Sequence, residues 1–184
     1  IDGVLADVSG SYRAVIIATA AEFGVTISPT DIEQVKRAGD ANNDWIVTQR
    51  LLAQHDVDVS LENVTDTFEA KYWGTAESEG LCLKESFIGT VNRLKQLSER
   101  LPIAAVTGRP KRDAIMFLER FQALGSLSAV VTMEDGPAKP DPTPVQIALN
   151  RLGVSRAWML GDTCDDVEAA RGAQVLPLGV LAPS

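Results

Sequence analysis

The sequence predicts an α/β fold in which helices cover both faces of a parallel sheet and an all-helical segment is inserted near the start of the chain. Through the second half of the chain, short apolar runs rich in β-formers alternate with helical stretches. These runs are continuously apolar, which is typical of strands that are buried on both faces. The part before them carries only helical patterns, so it is interpreted as one insertion.

Four helices are predicted in this first part. One runs from Ser11 to the terminating Gly24, and the second follows an early proline at Pro29. The third ends near His55, the only histidine, where a solvated side chain suits the helix C-terminus. A histidine-based catalytic site is therefore not expected. A fourth helix is predicted after Ser60, because apolar residues recur every four positions in the segment that follows it.

The second part carries the predicted sheet. A helix over 86–100 leads into it, and each later strand except the last is followed by a helix. The predicted strands are 103–106, 128–132, 157–160 and 175–180, and the helices between them are 110–124, 142–152 and 165–172.

Charge and cysteine content exclude several classes of function. The net charge is −8, from 17 basic and 25 acidic residues, which disfavours a nucleic-acid binder or an anionic-membrane binder. The longest apolar run, residues 14–21, is far below the roughly 20 residues of a membrane span. With two cysteines and no visible export signal, a cytoplasmic protein with reduced thiols is predicted. A targeting segment on a longer precursor stays open.

Polar residues follow three of the predicted strands. Thr107 and Gly108 come after the first, Lys139 lies in the loop after the second, and Asp162 and Asp166 come after the third. Because ligands of open α/β sheets bind at the carboxyl ends of the strands, these side chains are expected at one edge. Asp162 and Asp166, four residues apart, suit Mg²⁺, which prefers oxygen ligands. Thr107, the glycine and the lysine suit a phosphoryl group.

Each of these features also has a plain structural interpretation. The Thr-Gly-Arg-Pro stretch suits a turn, Lys139 suits a solvated surface, and the acidic cluster suits a helix N-terminus. Cys164 is interpreted as a small thiol in a tight loop, not as a redox centre. The order of the features favours a phosphoryl-transfer site, because each one follows a predicted strand. The opening Ile-Asp-Gly-Val adds a further aspartate, Asp2.

In this order the motifs resemble those of the haloacid dehalogenase-like hydrolases, of the subfamily I phosphatase type with an α-helical cap. The resemblance covers nearly the whole chain. Asp2 matches the second aspartate of the family's Asp-x-Asp motif, Thr107 its strand-ending Thr or Ser, and Lys139 its Lys before Pro. Asp162 and Asp166 match its Gly-Asp-x-x-x-Asp motif.

The resemblance implies a Rossmann-like core over 1–10 and 86–184 and a helical cap over 11–85. It also implies a hydrolase of phosphoric monoesters that works through an aspartyl-phosphate. Asp2 is then the general acid and base, and the nucleophilic aspartate is expected immediately before Ile1. The strand that carries this aspartate and the last core helix are expected outside the sequence given. An Asn or Ser encoded before Ile1 would contradict the phosphatase hypothesis.

The implied cofactor is Mg²⁺, held by the nucleophile, the main-chain carbonyl of Asp2, and Asp162, with Asp166 supporting directly or through water. Thr107, Gly108 and Lys139 would bind the phosphate. The expected partner is a small phosphorylated metabolite, such as phosphoglycolate or a sugar phosphate. Three alternatives remain: a phosphomutase of the same fold, a signalling receiver, and a non-catalytic phosphate-binding or regulatory homologue. A receiver fits less well, because receivers place the acidic pair early.

The cap is expected to choose the substrate. One interpretation of its polar stretch is a substrate-facing edge; the other is a capped helix whose tryptophan packs on its neighbours. The candidate specificity residues are Arg13, Lys36, Arg37, Asn43 and Trp45.

Overall fold

The computed structural model describes residues 1–37 and 43–181, without the side chain of Arg37. Residues 38–42, which belong to the stretch proposed as a substrate-facing edge, lie outside the described residues. The chain divides into two compact units. One comprises Ile1–Asp7 and the chain from Phe87 onward, and the other comprises Val8–Ser86.

The Val8–Ser86 unit consists of helices. They are α1 (Tyr12–Glu22), α2 (Pro29–Arg37), α3 (Asp44–Gln54) and α4 (Leu61–Trp73), followed by a 3-10 turn over Leu81–Lys84. The four predicted helices are thus confirmed. Their apolar faces meet in a core that includes the fully buried Ile16, Leu51, Leu52, Phe68 and Tyr72.

A buried carboxylate ties the two ends of this helical unit together. Glu85 accepts hydrogen bonds from the Ser11 hydroxyl, at 3.0 Å, and from the Tyr72 hydroxyl, at 3.1 Å. Ser11 lies at the start of α1 and Tyr72 near the end of α4. A buried charged group needs such partners, so this contact fixes where the chain enters and leaves the unit.

The other unit is α/β. Its strands are β1 (Ala6–Asp7), β2 (Ser86–Phe87), β3 (Ala104–Val106), β4 (Ala129–Val131), β5 (Trp158–Gly161) and β6 (Leu176–Gly179), with Ser86 the last residue of the helical unit. Its helices are α5 (Val91–Ser98), α6 (Lys111–Arg120), α7 (Thr143–Leu152) and α8 (Cys164–Gly172). β3 pairs in parallel with β4, and β5 with β6, as the alternation of strands and helices predicts.

Two predicted helices are shorter than expected. The segment 86–100 begins as strand β2, and its helix starts only at Val91, because Gly89 has φ +80° and the Thr90 side chain caps the helix by accepting from the Arg93 N–H. The segment 110–124 ends its helix at Arg120, since Gln122 takes a left-handed conformation with φ 56°. Local turn residues decide both boundaries, whereas apolar spacing alone extends through them.

The strand pairs do not join into one sheet within the described ranges. On one face of the β5–β6 pair, Met159 packs with Val145, Ala169 and Ala170 of α7 and α8. The opposite face of this pair carries exposed apolar side chains. The exposed residues are Trp158, Leu160, Leu176 and Leu178. None of the helices in the described ranges is long and apolar enough to cross a membrane.

Candidate functional site

The opening segment forms a tight loop that presents Asp2. The N–H groups of Leu5 and Ala6 donate to the Ile1 carbonyl at 2.7 and 3.0 Å, and the Gly3 N–H donates to the Ala6 carbonyl at 2.9 Å. Gly3 has φ +66°, and a Cβ atom there would lie 2.1 Å from Oδ2 of Asp162. Glycine is therefore required at this position, both for the backbone conformation and for the approach of the Asp162 carboxylate.

Thr107 follows β3 directly. Its N–H donates to the Val131 carbonyl at 2.9 Å, which continues the β3–β4 pairing by one residue. Its hydroxyl oxygen accepts from the Arg109 N–H at 3.2 Å, and the residue is buried. The hydroxyl is thus held at the carboxyl end of the strand, where the sequence predicts it.

Arg109 joins this strand end to the opening loop. Its Nε and Nη2 atoms contact Oδ1 of Asp2 at 2.7 and 2.5 Å. The Arg109 side chain is 1% exposed, that of Asp2 is 38% exposed, and the guanidinium lies 5.0 Å from the centre of the Phe117 ring. Sequence reasoning missed this residue as a site candidate. The available signal was its place in Thr-Gly-Arg-Pro, beside the predicted phosphate-binding residues.

Lys139 and Asp166 form a buried ion pair between Nζ and Oδ1, with side chains that are only 10% and 8% exposed. The other oxygen, Oδ2 of Asp166, accepts from the Asp162 N–H at 3.2 Å and from the Thr163 hydroxyl at 2.9 Å. Thr163 and Asp166 form a reciprocal capping box that starts α8. The acidic turn therefore has a structural role, and Asp166 is a partner of Lys139 rather than an open carboxylate.

The two carboxyl groups of this turn have opposite electrostatic surroundings. Partial burial, followed by the nearby charge of Asp166, raises the pKa of Asp162. Burial opposes ionisation of Asp166 too, but the Lys139 ammonium and hydrogen bonds from Lys139 and Thr163 hold the pKa of Asp166 below its ordinary value. Ionised Asp162 thus lies in an unfavourable field that a bound cation would relieve.

The oxygen ligands available at this site suit a cation that takes few of its ligands from the protein. The described part of the chain contains no group of three or more His, Cys, Asp or Glu side chains that could hold a metal ion. It offers the Asp162 carboxylate beside the Asp2–Gly3 loop, with its main-chain oxygens. Mg²⁺ is commonly bound by one or two carboxylates, with water and substrate oxygens completing the octahedron, so this set suits Mg²⁺.

The structure brings the predicted core residues into one contiguous network. Thr107 contacts Arg109, which binds Asp2; the loop of Asp2 lies against Asp162; and Asp162 leads through Asp166 to Lys139. Gly108 stands between Thr107 and Arg109 in the same turn. The catalytic, metal and phosphate roles of these residues stay predictions.

The predicted specificity residues all lie in the helical unit. Arg13 is half-buried in α1, Trp45 is half-buried in α3, and Lys36 pairs with Asp44 at 2.8 Å. Asn43 caps α3 by accepting from the N–H groups of Trp45 and Ile46 at 3.0 and 3.3 Å. Lys36 and Asn43 thus have structural partners, and a role in substrate choice stays a prediction. The Arg37 side chain lies outside the described residues.

The role of Asn43 as the N-cap of α3 predicts how its substitution changes stability. Asn43→Ala should lower the free energy of unfolding by about 1 kcal/mol, because the N-terminal N–H groups of α3 lose their acceptor. Asn43→Ser keeps an acceptor and should stay close to the wild type in a urea unfolding curve. If the serine variant keeps its stability but loses kcat/KM on the preferred substrate, Asn43 also contacts that substrate. Equal stability of both variants would contradict the capping role.

A model of the haloacid dehalogenase-like hydrolase family matches residues 1–180. A curated relative from Phytophthora nicotianae, named imidazoleglycerol-phosphate dehydratase, is 43% identical over 99% of this chain and 42% of its own length. The chain spans less than half the length of the curated relatives it matches.

Two solved structures share the fold at low sequence identity. A phosphatase from Thermococcus thioreducens aligns with a TM-score of 0.76 and 22% identity, over 98% of this chain and 90% of the other. A predicted phosphoglycolate phosphatase from Haemophilus somnus aligns with a TM-score of 0.78 and 14% identity, over 99% and 83%. Because the family model matches residues 1–180, the chain belongs to the haloacid dehalogenase-like hydrolases.

Proposed function

We propose that the protein hydrolyses a small phosphomonoester with Mg²⁺ through an aspartyl-phosphate. The observation that carries the proposal is the contiguous network from Thr107 through Arg109, Asp2 and Asp162 to the Lys139–Asp166 pair. It collects a hydroxyl, an ammonium and carboxylates at strand ends. These are the groups that position a phosphoryl oxygen, offset its charge and move a proton.

In this proposal each core residue has one task. Thr107 and Lys139 bind oxygens of the phosphoryl group, and the Gly108 backbone permits close approach. The aspartate expected before Ile1 attacks phosphorus, and the bond to the leaving alcohol breaks while Asp2 donates a proton to that oxygen. Asp2 then takes a proton from the water that cleaves the acyl-phosphate. The covalent step divides a difficult displacement into two easier ones.

Mg²⁺ would be held by Asp162 and the main-chain carbonyl of Asp2, together with the nucleophile. The ion would supply positive charge that offsets the anionic carboxylates and phosphate. The raised pKa of Asp162 supports this assignment, since burial and the neighbouring Asp166 disfavour its charged form without such an ion. Asp166 would support the site from beside Lys139, because Oδ1 contacts the ammonium and Oδ2 accepts bonds from the acidic turn.

The helical unit is proposed as the cap that selects the substrate. Every residue to which the proposal gives a chemical task lies in the α/β unit, so the Val8–Ser86 unit has none left to perform. Contacts remote from the reacting atoms can still raise turnover of one substrate over another. Arg13, Lys36, Arg37, Asn43 and Trp45 are the candidates for such contacts.

The name of the curated relative suggests one more compound to test as a substrate. It does not indicate the reaction that this chain catalyses. Imidazoleglycerol phosphate is itself a phosphomonoester, and the chain spans only 42% of the relative so named. We therefore expect phosphate release and not dehydration, and this compound belongs in the substrate panel beside phosphoglycolate and glucose 1-phosphate.

The proposal is tested by measuring inorganic phosphate released by the full-length protein from this panel and from 4-nitrophenyl phosphate. Activity should require Mg²⁺, disappear in EDTA and return when Mg²⁺ is added in excess. Undiminished activity in EDTA would contradict the metal assignment. Conversion of glucose 1-phosphate to an isomer without phosphate release would identify a mutase, and binding of phosphate without any turnover would identify a non-catalytic homologue.

A further inference from the structure

We infer that Glu134 is a positioning residue that holds the phosphate-binding turn, residues 107–110, in place from the loop after β4. The inference rests on the proposed function, in which Thr107 and Gly108 of this turn bind phosphate. It starts from one contact: the Lys111 N–H donates to both carboxylate oxygens of Glu134, at 2.9 and 3.0 Å. Lys111 is the first residue of α6 and directly follows the turn.

The start of α6 needs this acceptor, because its own N-cap does not supply one. The N-cap is Pro110, whose side chain makes no capping hydrogen bond. The first N–H groups of a helix have no partner within the helix, and the helix dipole favours an anionic acceptor there. Burial opposes ionisation of Glu134, but hydrogen bonds, that from the Lys111 N–H first among them, hold the pKa of Glu134 below its ordinary value. The ionised carboxylate therefore caps α6 at neutral pH.

Backbone hydrogen bonds join the same turn and loop nearer to the strands. The Thr107 N–H donates to the Val131 carbonyl at 2.9 Å, and the Met133 N–H donates to the Arg109 carbonyl at 3.1 Å. With the Glu134 contact, the turn after β3 is tied to the loop after β4 at three successive points. Of these three contacts, only that of Glu134 is made by a side chain, so a substitution can remove it without changing the backbone.

The loop after β4 is itself held firmly. Asp135 accepts from the N–H and the hydroxyl of Thr132, at 2.8 and 3.1 Å, and pairs with Arg151 of α7 at 2.5 Å. The same loop continues to Lys139, which the proposed function also assigns to a phosphoryl oxygen. A carboxylate anchored in this loop therefore fixes the hydroxyl of Thr107 relative to the loop that carries the ammonium, as binding of one phosphoryl group by both requires.

A positioning role and a purely structural cap predict different results. A structural cap contributes to stability alone, whereas a displaced phosphate-binding turn weakens the binding of every phosphoryl group, whatever its leaving group. Inorganic phosphate is the probe, because it has no leaving group and its binding needs no turnover. The measured quantity is its dissociation constant, obtained by calorimetry in the presence of Mg²⁺.

The test compares Glu134→Ala with the wild type in the full-length protein, well below the melting temperature of both. Glu134→Ala should bind inorganic phosphate about 10-fold more weakly, which is the scale of one lost hydrogen bond to a charged group. Its kcat/KM should fall by a similar factor on the preferred alkyl phosphate and on 4-nitrophenyl phosphate. Glu134→Gln keeps an oxygen that accepts from the Lys111 N–H and should restore both quantities to within about threefold of the wild type.

Ser60→Ala is the matched control, because it removes a helix cap in the other unit. The Ser60 hydroxyl caps α4 by accepting from the Asn63 N–H at 3.3 Å. Its loss should lower the melting temperature about as much as Glu134→Ala does and leave phosphate binding unchanged.

Phosphate binding by Glu134→Ala equal to that of the wild type would overturn the inference, with the proposed function intact. A loss that Glu134→Gln does not recover would also overturn it, because the charge and not the hydrogen bond would then be the cause. If Glu134→Ala binds phosphate more weakly than the wild type but neither protein turns over any substrate, the inference stands and the proposed hydrolysis fails. A wild type that binds no phosphate would overturn both.

Discussion

Asp162→Asn should reduce Mg²⁺-dependent phosphatase activity by a factor of about 100 to 1,000, a loss typical of removing one strong electrostatic group from an active site. The carboxylate is the acidic side chain that lies against the Asp2–Gly3 loop, where a Cβ on Gly3 would fall 2.1 Å from Oδ2. The amide keeps the size of the side chain and removes its charge. The measurement is kcat/KM at saturating Mg²⁺, together with the Mg²⁺ concentration at half-maximal activity.

Asp165→Asn is the matched control, because Asp165 is an acidic neighbour in the same turn to which no ligand role is assigned. It should retain activity within about threefold, as expected for a substitution away from the reacting atoms. Comparable losses in both variants would show that the net charge of the turn matters and not the position of one ligand.

A second readout for Asp162 does not depend on activity. Its raised pKa means that the folded state binds the proton more tightly than the unfolded state does, so ionised Asp162 lowers stability as the pH rises through its folded pKa. Without metal at neutral pH, Asp162→Asn should therefore unfold at a temperature equal to or above that of the wild type. Added Mg²⁺ should raise the melting temperature of the wild type and not of the variant. If Mg²⁺ raised the melting temperature of Asp162→Asn as much as that of the wild type, Asp162 would not be a ligand of the ion.

Lys139→Met should lower the free energy of unfolding by about 3 kcal/mol, because it leaves the Asp166 carboxylate buried without its cation. The two side chains are only 10% and 8% exposed, so water cannot replace the missing ammonium. For a chain of this length the loss corresponds to a fall in melting temperature of about 10 °C. Urea unfolding at pH 7 measures it directly.

The double variant Lys139→Met/Asp166→Asn separates the ion pair from simple packing. Removing both charges should recover most of the stability that Lys139→Met loses, since an unpaired buried charge costs more than a missing pair. A double variant no more stable than the single one would show that packing of the lysine stem carries the effect.

Acid should remove the contribution of the Lys139–Asp166 pair to the free energy of unfolding. The pKa of Asp166 lies below its ordinary value of 3.8, so the stabilisation is complete above that value and is lost as the pH falls through the lowered pKa. Below pH 3.8 the unfolding free energy of the wild type should therefore fall relative to that of the double variant, in which residue 166 does not titrate. A difference between the two proteins that stays constant down to acid unfolding would contradict the assignment.

The sequence by itself determined the class of fold, the helices of the inserted unit and the strand ends at which the candidate site lies. These features follow from local periodicity, because the spacing of apolar residues distinguishes a helix face from a buried strand. Thr107, Lys139 and Asp162 could be found because each one follows a predicted strand. The start of α5 could not be found in this way, since Gly89 and Thr90 end one element and begin the next inside a continuous pattern.

Only the tertiary structure decided which charged groups are partners. Asp2 and Arg109 are 107 residues apart in sequence, and Lys139 and Asp166 are 27 apart, so no local pattern pairs them. The need for glycine at position 3 likewise appears only when the Asp162 carboxylate lies against it. Periodicity specifies which face of an element is buried, but the partner of a charge depends on how separate elements pack, and burial then sets how strongly the two interact.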